Sequence, residues 1–465
     1  MLLTLGEDFF KYFRLYFPQG PSPLVFQPNY PFPMRYSAPP KDLFIRNREA
    51  FARQMKPRTI AVFHSNDLIS LNADANYRFA QDSNMYYLSG IDQEEVILVI
   101  FPDAPTAATR EMLFIRETNA TIQVWEGWKY SKQEASDASG VQTVHFYQDF
   151  DAVIRRLISH FDGVYIDVNE HERNSLTTRK AGHRLAEKFR TEFPAHQIYR
   201  SAPILEALRS IKSPEEIEQM KVAMGITEKA FRRVLGFIRP GVMEYEIEAE
   251  IQHEFLRNRA SGPAYDSIIA TGGNACVLHY VDNSSECQDG QLILMDFGSR
   301  YANYCSDLTR TVPVNGKFTP RQRDVYEAVL RVMKQATQML RPGNLLESYH
   351  TEVGKLMEAE LIGLGLITEE QVANQPADAP AYKKYFMHGT SHFLGLDVHD
   401  VGNRYAPFQA GMVFTCEPGI YIPEEGIGIR LENNILITEG DPIDLMASIP
   451  LEADEIEALM SAARS

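Results

Sequence analysis

The sequence predicts an α+β protein in two parts, an α/β amino-terminal domain followed by a duplicated helix–helix–hairpin domain. Two observations carry this. Strand-like apolar runs alternate with helical ones up to about residue 200, and after that a helix-start and a helix-stop signal each occur twice. At 465 residues the chain is long enough for two or three domains, each with a substantial core.

Residues 1–33 stand apart. Pro18, Pro21, Pro23, Pro28, Pro31 and Pro33 punctuate a stretch rich in Phe and Tyr, which predicts an irregular extension lying on the surface. Glu7 and Asp8 stand where a secretory signal would be basic, and no sustained apolar segment follows. Met34 is an alternative start for the chain.

Residues 34–205 are expected to form the α/β domain. The helical stretches KDLFIRNREAFARQM and FDAVIRRLISHF are interleaved with the strand-like runs TIAVFH, EEVILVIF, REMLFI and GVYIDV. No catalytic constellation is visible there. Trp125 and Trp128 fall in the polar segment IQVWEGWKYS, where two indoles are unexpected; local packing of both is the simple reading.

Residues 206–465 are the predicted duplicated domain. Ser213-Pro214-Glu215-Glu216 is a capping box with Pro at the first helical position, where its missing N–H costs nothing. Apolar residues follow at Ile217, Met220, Met224, Phe231, Leu235 and Ile238, and Arg239-Pro240-Gly241 marks the stop. Glu244 to Arg257 reads as a second helix. Thr319-Pro320-Arg321-Gln322 repeats the start, Val325, Val329, Val332, Ala336 and Leu340 repeat the apolar face, and Arg341-Pro342-Gly343 repeats the stop. The starts lie 106 residues apart and the stops 102, which points to an internal duplication. Each copy should end in a hairpin: QLILMDFGSRYANYCSDLTRTVPV in the first, GMVFTCEPGIYIPEEGIGIRLENNILIT in the second.

Composition narrows the function classes. Acidic residues outnumber basic ones 62 to 46, and the net charge of -16 opposes attraction to nucleic acid or anionic lipid. No apolar run approaches the roughly 20 residues that span a bilayer. The four cysteines, Cys276, Cys287, Cys305 and Cys416, form no C-x-x-C pair, so reduced thiols in a cytoplasm are the simpler reading.

The chemistry gathers in the hairpins. Asp296 ends the run Leu292-Ile293-Leu294-Met295, and Asp307 is expected on the return strand. Glu417 ends the run Met412 to Cys416, and Glu432 is expected two residues after Arg430 on one face of its return strand. If the two copies pack face to face, four carboxylates meet inside an apolar sheet, where repulsion and desolvation must be offset. Two divalent cations would offset them. The segment HGTSHFLGLDVHD, residues 388–400, adds three of the 12 histidines: His392 as a ligand, His388 and His399 as hydrogen-bonding partners. A donor set dominated by oxygen favours manganese, with iron or cobalt next.

The segments LHY, MDFG, SDLTRT, HGTSHFLGLDVHD, EPGIYI and GIRLEN, in this order, resemble the signature of the metallopeptidase family with the pita-bread fold, specifically aminopeptidase P and its relative prolidase. FAQDSNMYYLSG at 79–90 and KSPEEI at the junction resemble the family's amino-terminal part more loosely. The resemblance implies a pita-bread catalytic domain with Asp296, Asp307, His392, Glu417 and Glu432 as ligands of two metals, Asp307 and Glu432 bridging them. It also implies active-site roles for His279, His388 and His399, and places Arg430 as the arginine beside the last ligand. The implied reaction is hydrolysis of the amino-terminal Xaa-Pro bond of peptides, with Glu417 as general base and His399 and His279 serving the oxyanion or the leaving nitrogen. A homodimer or homotetramer is implied as well, formed through the amino-terminal domain, with the segment of Trp125 and Trp128 helping to restrict a subunit's active site to slender peptides. The rivals are an Xaa-Pro dipeptidase, a catalytically inactive pita-bread binding module and a metal-free amidinohydrolase of the same fold. The complete ligand set speaks against the last two.

Overall fold

The computed structural model describes residues 35–171, 173, 178–376 and 378–464. The expectations for residues 1–33 and for Met34 as a start lie outside these residues. Arg35–Ser465 forms one compact unit.

Toward the amino terminus lies a six-stranded mixed sheet in the order Thr143–Phe146, Glu111–Ile115, Ile97–Ile100, Thr59–His64, Gly163–Ile166 and Gln197–Arg200. Thr59–His64 runs antiparallel to Ile97–Ile100 and parallel to Gly163–Ile166. These central strands are nearly continuous apolar runs because both sheet faces are covered. Ile60 and Val62 pack with Phe150, Val153, Ile154, Leu185 and Phe189 from two helices on one face. Phe63 points the other way and meets Phe51 of the helix Lys41–Ala52, with ring centroids 5.2 Å apart. All four strand-like runs read from the sequence are present. The two outer strands, Thr143–Phe146 and Gln197–Arg200, were not expected: each is four residues long and partly exposed, so neither shows an apolar run.

The long helix Pro214–Phe237 begins at the Ser213 capping box and is followed by Glu244–Arg257. The second copy reproduces this with Pro320–Met339, capped by Thr319, and Leu346–Gly363. Helix starts and stops are therefore where the repeated signals place them.

The hairpins differ from expectation in one respect: neither is continuous. Leu292–Asp296 pairs with Thr309–Pro313, but the chain beyond Asp296 forms a separate small ladder, Ser299–Tyr301 with Tyr304–Cys305. In the second copy Val413–Cys416 pairs with Asn433–Leu436, and beyond the joint Gly419–Ile422 pairs with Ile427–Arg430. Asp307, Glu417 and Glu432 thus lie at the joints, not inside strands, and Asp296 is the last residue before one. Pro418, which has no N–H to give a ladder, accounts for the break after Glu417.

The two copies meet through these hairpins. Glu432 N donates to Thr309 O at 3.1 Å, and Thr311 Oγ1 exchanges hydrogen bonds with the backbone of Arg430. Among the described residues no helix is long and apolar enough to cross a membrane.

Candidate metal centre

The joints deliver carboxylates into a cavity of about 1040 Å³ lined by both copies and by Glu170, His171 and Arg173 of the amino-terminal part. A joint suits this task because its backbone is released from the ladder and each side chain is aimed by its own contacts. Asp307 shows how. Its N–H donates to Asn434 Oδ1 at 3.1 Å and its carbonyl accepts from Asn434 Nδ2 at 2.7 Å, so one side-chain amide replaces the missing strand partner.

Asp296 accepts from Tyr265 at 2.5 Å and from Arg430 Nη2 at 2.6 Å. The Tyr265 hydroxyl also touches Asp307, so a single O–H lies between two carboxylates. Glu432 Oε2 accepts from Thr309 Oγ1 at 2.6 Å, while its Oε1 is buried with no hydrogen-bond partner. His392 is aimed by its backbone: Thr415 N donates to His392 O at 3.0 Å and Leu394 N to Val413 O, so residues 392–394 run alongside the strand Val413–Cys416. His392 Nδ1 lies 2.9 Å from the carbonyl of Phe393, which fixes that nitrogen as the donor and leaves the Nε2 lone pair for the cavity. Nε2 stands 3.5 Å from Asp307 and 3.7 Å from Glu417. Asp307, His392 and Glu432 each offer a ligand atom within 4.8 Å of the others.

Electrostatics sharpen the picture. Burial, followed by repulsion from Asp307, Glu417 and Asp296, pushes Glu432 well above the usual carboxylate range. Burial likewise raises Asp296, although Arg430 opposes it, and takes Glu417 to about 7. A protein interior holds such a set ionised only with added positive charge. The unpartnered Glu432 Oε1, the crowded carboxylates and the free lone pair of His392 together fit one or more divalent cations with oxygen and imidazole ligands.

The other predicted residues divide into two groups. Arg430 is fully engaged: Nη2 on Asp296, Nη1 on the Tyr421 hydroxyl at 2.8 Å, Nε on Thr309 at 3.1 Å. Its position beside Glu432 was expected from strand alternation, but the strand ends at Arg430, and the shared orientation comes from these contacts. His388 sits with Nε2 2.8 Å from the Tyr421 hydroxyl. His399 and His279 line the cavity without touching the carboxylates. The His399 ring lies 4.5 Å from that of His392, and its Nε2 is 3.0 Å from Arg173.

Sequence reasoning missed Tyr265, Thr309 and Tyr421. Tyr421 and Thr309 stand inside the segments EPGIYI and SDLTRT, so their place was marked without their role. Tyr265 lies in an unremarkable loop and gave no signal.

A family model for metallopeptidase family M24 matches residues 218–439, and one for the aminopeptidase P amino-terminal domain matches 44–165. The chain is 37% identical to Xaa-Pro aminopeptidase of Escherichia coli (strain K12) over 439 residues, covering 90% of this chain and 98% of that protein. It is 30% identical to human Xaa-Pro aminopeptidase 3, covering 90% of this chain and 83% of that protein. A putative aminopeptidase P from Bacillus anthracis superposes with a TM-score of 0.85 at 33% identity, covering 91% and 99% of the two chains. A zinc-substituted Escherichia coli aminopeptidase P bound to product superposes with a TM-score of 0.82 at 34% identity, covering 92% and 100%. Fold and cavity therefore define a metallopeptidase of the M24 class. Within that class the chain belongs to the aminopeptidase P family.

Proposed function

We propose that this chain is an Xaa-Pro aminopeptidase, releasing the first residue of peptides that carry proline second. The observation that carries the reading is the convergence of four carboxylates and His392 in one cavity, in a chain whose relatives are named Xaa-Pro aminopeptidase. Asp296, Asp307, His392, Glu417 and Glu432 would hold two divalent ions, manganese by the hardness of the donors. Bound there, the ions would polarise the scissile carbonyl and lower the pKa of a water.

The chain's own residues do the rest. The cluster holds the peptide's amino end among the carboxylates. Glu417 takes a proton from the attacking water; as the carbonyl carbon gains the water oxygen, the C–N bond to proline breaks and that proton passes to the proline nitrogen. His399 and His279, free of the carboxylates and facing the cavity, hydrogen-bond the developing oxyanion or the leaving nitrogen. Arg430 neutralises Asp296 and, through Tyr421, holds His388 in place.

The division at residues 34–205 and 206–465 belongs to the same reading, with chemistry in the second part alone. The four unpaired cysteines support a reducing compartment, the cytoplasm. Assembly into a dimer or tetramer is supported by Trp125, 79% exposed beside Val124 on the helix Ala120–Glu126.

The test is direct. Protein stripped by a chelator should lose cleavage of an Xaa-Pro-Yaa tripeptide and regain it with Mn²⁺. Asp307→Asn and Glu432→Gln should each lower kcat/KM by at least roughly 10²-fold to 10³-fold. Cleavage of Gly-Pro but not of the tripeptide would replace this reading with a dipeptidase, and full activity after stripping would overturn it.

A further inference from the structure

Residues 395–399 belong to no helix or strand, yet they carry His399. Such a segment keeps one conformation only if its side chains are held. Its backbone closes on itself, with Asp400 N donating to Phe393 O at 2.9 Å and Gly395 N to Asp397 O at 3.1 Å. Gly395 allows the closure, because a Cβ there would stand 2.2 Å from Asp400 Oδ2. The two carboxylates flanking His399 are then gripped from outside. Arg209 Nη2 donates to Asp397 Oδ2 at 2.8 Å and to Asp400 Oδ1 at 2.5 Å, and Lys212 Nζ reaches Asp400 Oδ2 at 2.9 Å. Arg209, Lys212 and Asp400 are almost wholly buried.

The grip continues away from the cavity. Arg209 Nη1 donates to Asn84 Oδ1 at 2.7 Å, Asn84 Nδ2 donates to Asp167 at 3.0 Å, and Ser83 Oγ reaches Asp397 Oδ1 at 2.7 Å. Ser83 and Asn84 open the helix Ser83–Ser89, capped by Asp82, in the part of the chain that holds no chemistry of its own.

We infer that Arg209 is a positioning residue for His399, anchored through Asn84 to the amino-terminal part of the chain. One guanidinium holds the carboxylates on both sides of His399 with Nη2 and, with Nη1, ties them to Asn84 at the start of the helix Ser83–Ser89. A lysine ammonium, a single nitrogen without the planar fork, lacks the second arm that reaches Asn84 while the first holds the carboxylates. The inference rests on the reading that His399 acts in the reaction.

A double-mutant cycle tests it on the manganese-loaded full chain. His399→Ala alone should lower kcat, and Arg209→Lys alone should lower kcat by roughly 10²-fold, the scale of a misplaced reacting group, with KM and metal content unchanged. In the His399→Ala background, Arg209→Lys should cost nothing further. Asp397→Asn, which keeps the side-chain shape at a half-buried site, should repeat the pattern more weakly and carries the test if Arg209→Lys does not fold. Additive losses would overturn the inference while leaving the role of His399 standing. Metal loss in Arg209→Lys would also overturn it, making Arg209 a support of the metal centre. A kinetically silent His399→Ala would sink both.

Discussion

Burial keeps His388 neutral, and its neighbours then give it a task. His388 has both ring nitrogens occupied: Nδ1 is 2.7 Å from the carbonyl of Gly389, so Nε2 must accept from Tyr421, whose hydroxyl in turn accepts from Arg430. That chain of donors runs one way, from Arg430 to His388, and burial, with Arg430 nearby, lowers the imidazole to about 4, so it stays neutral at pH 7. His64 reaches the same state far from the cavity. It ends the strand Thr59–His64 edge-on to Phe150, and burial, with Arg184 adding to it, lowers its pKa to about 4. Unfolding returns it to about 6.5, so below that pH the unfolded chain binds more protons. Its contribution is fully present above about pH 6.5 and is lost as pH falls toward 4. Urea unfolding at pH 7 and pH 5 should therefore show a pH-dependent loss in the wild-type chain larger than that in His64→Phe, by about 2 kcal/mol. Equal losses in the two proteins would refute the assignment.

At the scale of elements, the repeated capping boxes and the broken hairpins do different work. Ser213 Oγ accepts from Glu216 N while Glu216 Oε2 accepts from Ser213 N at 2.9 Å, and Thr319 with Gln322 repeats the geometry. These caps fix where the two long helices begin and hence how each copy lays its helices on its hairpin. Ser213→Ala and Thr319→Ala should each cost about 1 kcal/mol in thermal or urea unfolding, because each leaves one helix N–H unpaired. A loss below a few tenths in both would mean that tertiary packing alone sets the starts. The broken hairpins work by alternation around Arg310. Thr309 and Thr311 contact Arg430 and Glu432 across the joint, whereas Arg310 between them points to the opposite side. There it donates to the carbonyls of Pro450 and Glu432 and to Asn433 Oδ1, all at 2.8 Å or less, so the backbone of Glu432 is clamped from behind while its carboxylate faces the cavity.

For the whole molecule, the two tryptophans part company. Trp128 packs locally, its ring centroid 4.5 Å from that of Tyr130 and its indole N–H 3.3 Å from Glu134. Trp125 stays exposed beside Val124 on the helix Ala120–Glu126. If it serves assembly, light scattering should report at least two chains per particle, and Trp125→Ala should lower that mass or change KM or peptide-length preference with metal content unaltered. A strictly monomeric active enzyme with a kinetically silent Trp125→Ala would exclude the role.

The sequence by itself determined what local rules determine. Capping boxes and Pro-Gly stops placed the helices of both copies, apolar runs placed the central strands, and spacing between the copies announced the duplication. The segments around Asp296, His392, Glu417 and Glu432 were legible for the same reason: residue types that need compensation when buried stood next to runs that had to be buried. Partly exposed edge strands, with no such run, stayed hidden. Tertiary structure alone decided the aim of each side chain. Nothing near Tyr265 in the chain says that its hydroxyl will stand between Asp296 and Asp307, and nothing near Arg209 says that it will span the carboxylates beside His399, 188 and 191 residues further on. Those placements depend on long-range packing, which no local pattern encodes. The hairpins broke where the carboxylates are for a physical reason as well: a continuous ladder would have fixed their direction by alternation, and the joints let Asp307, Glu417 and Glu432 turn toward Asp296, which ends its strand.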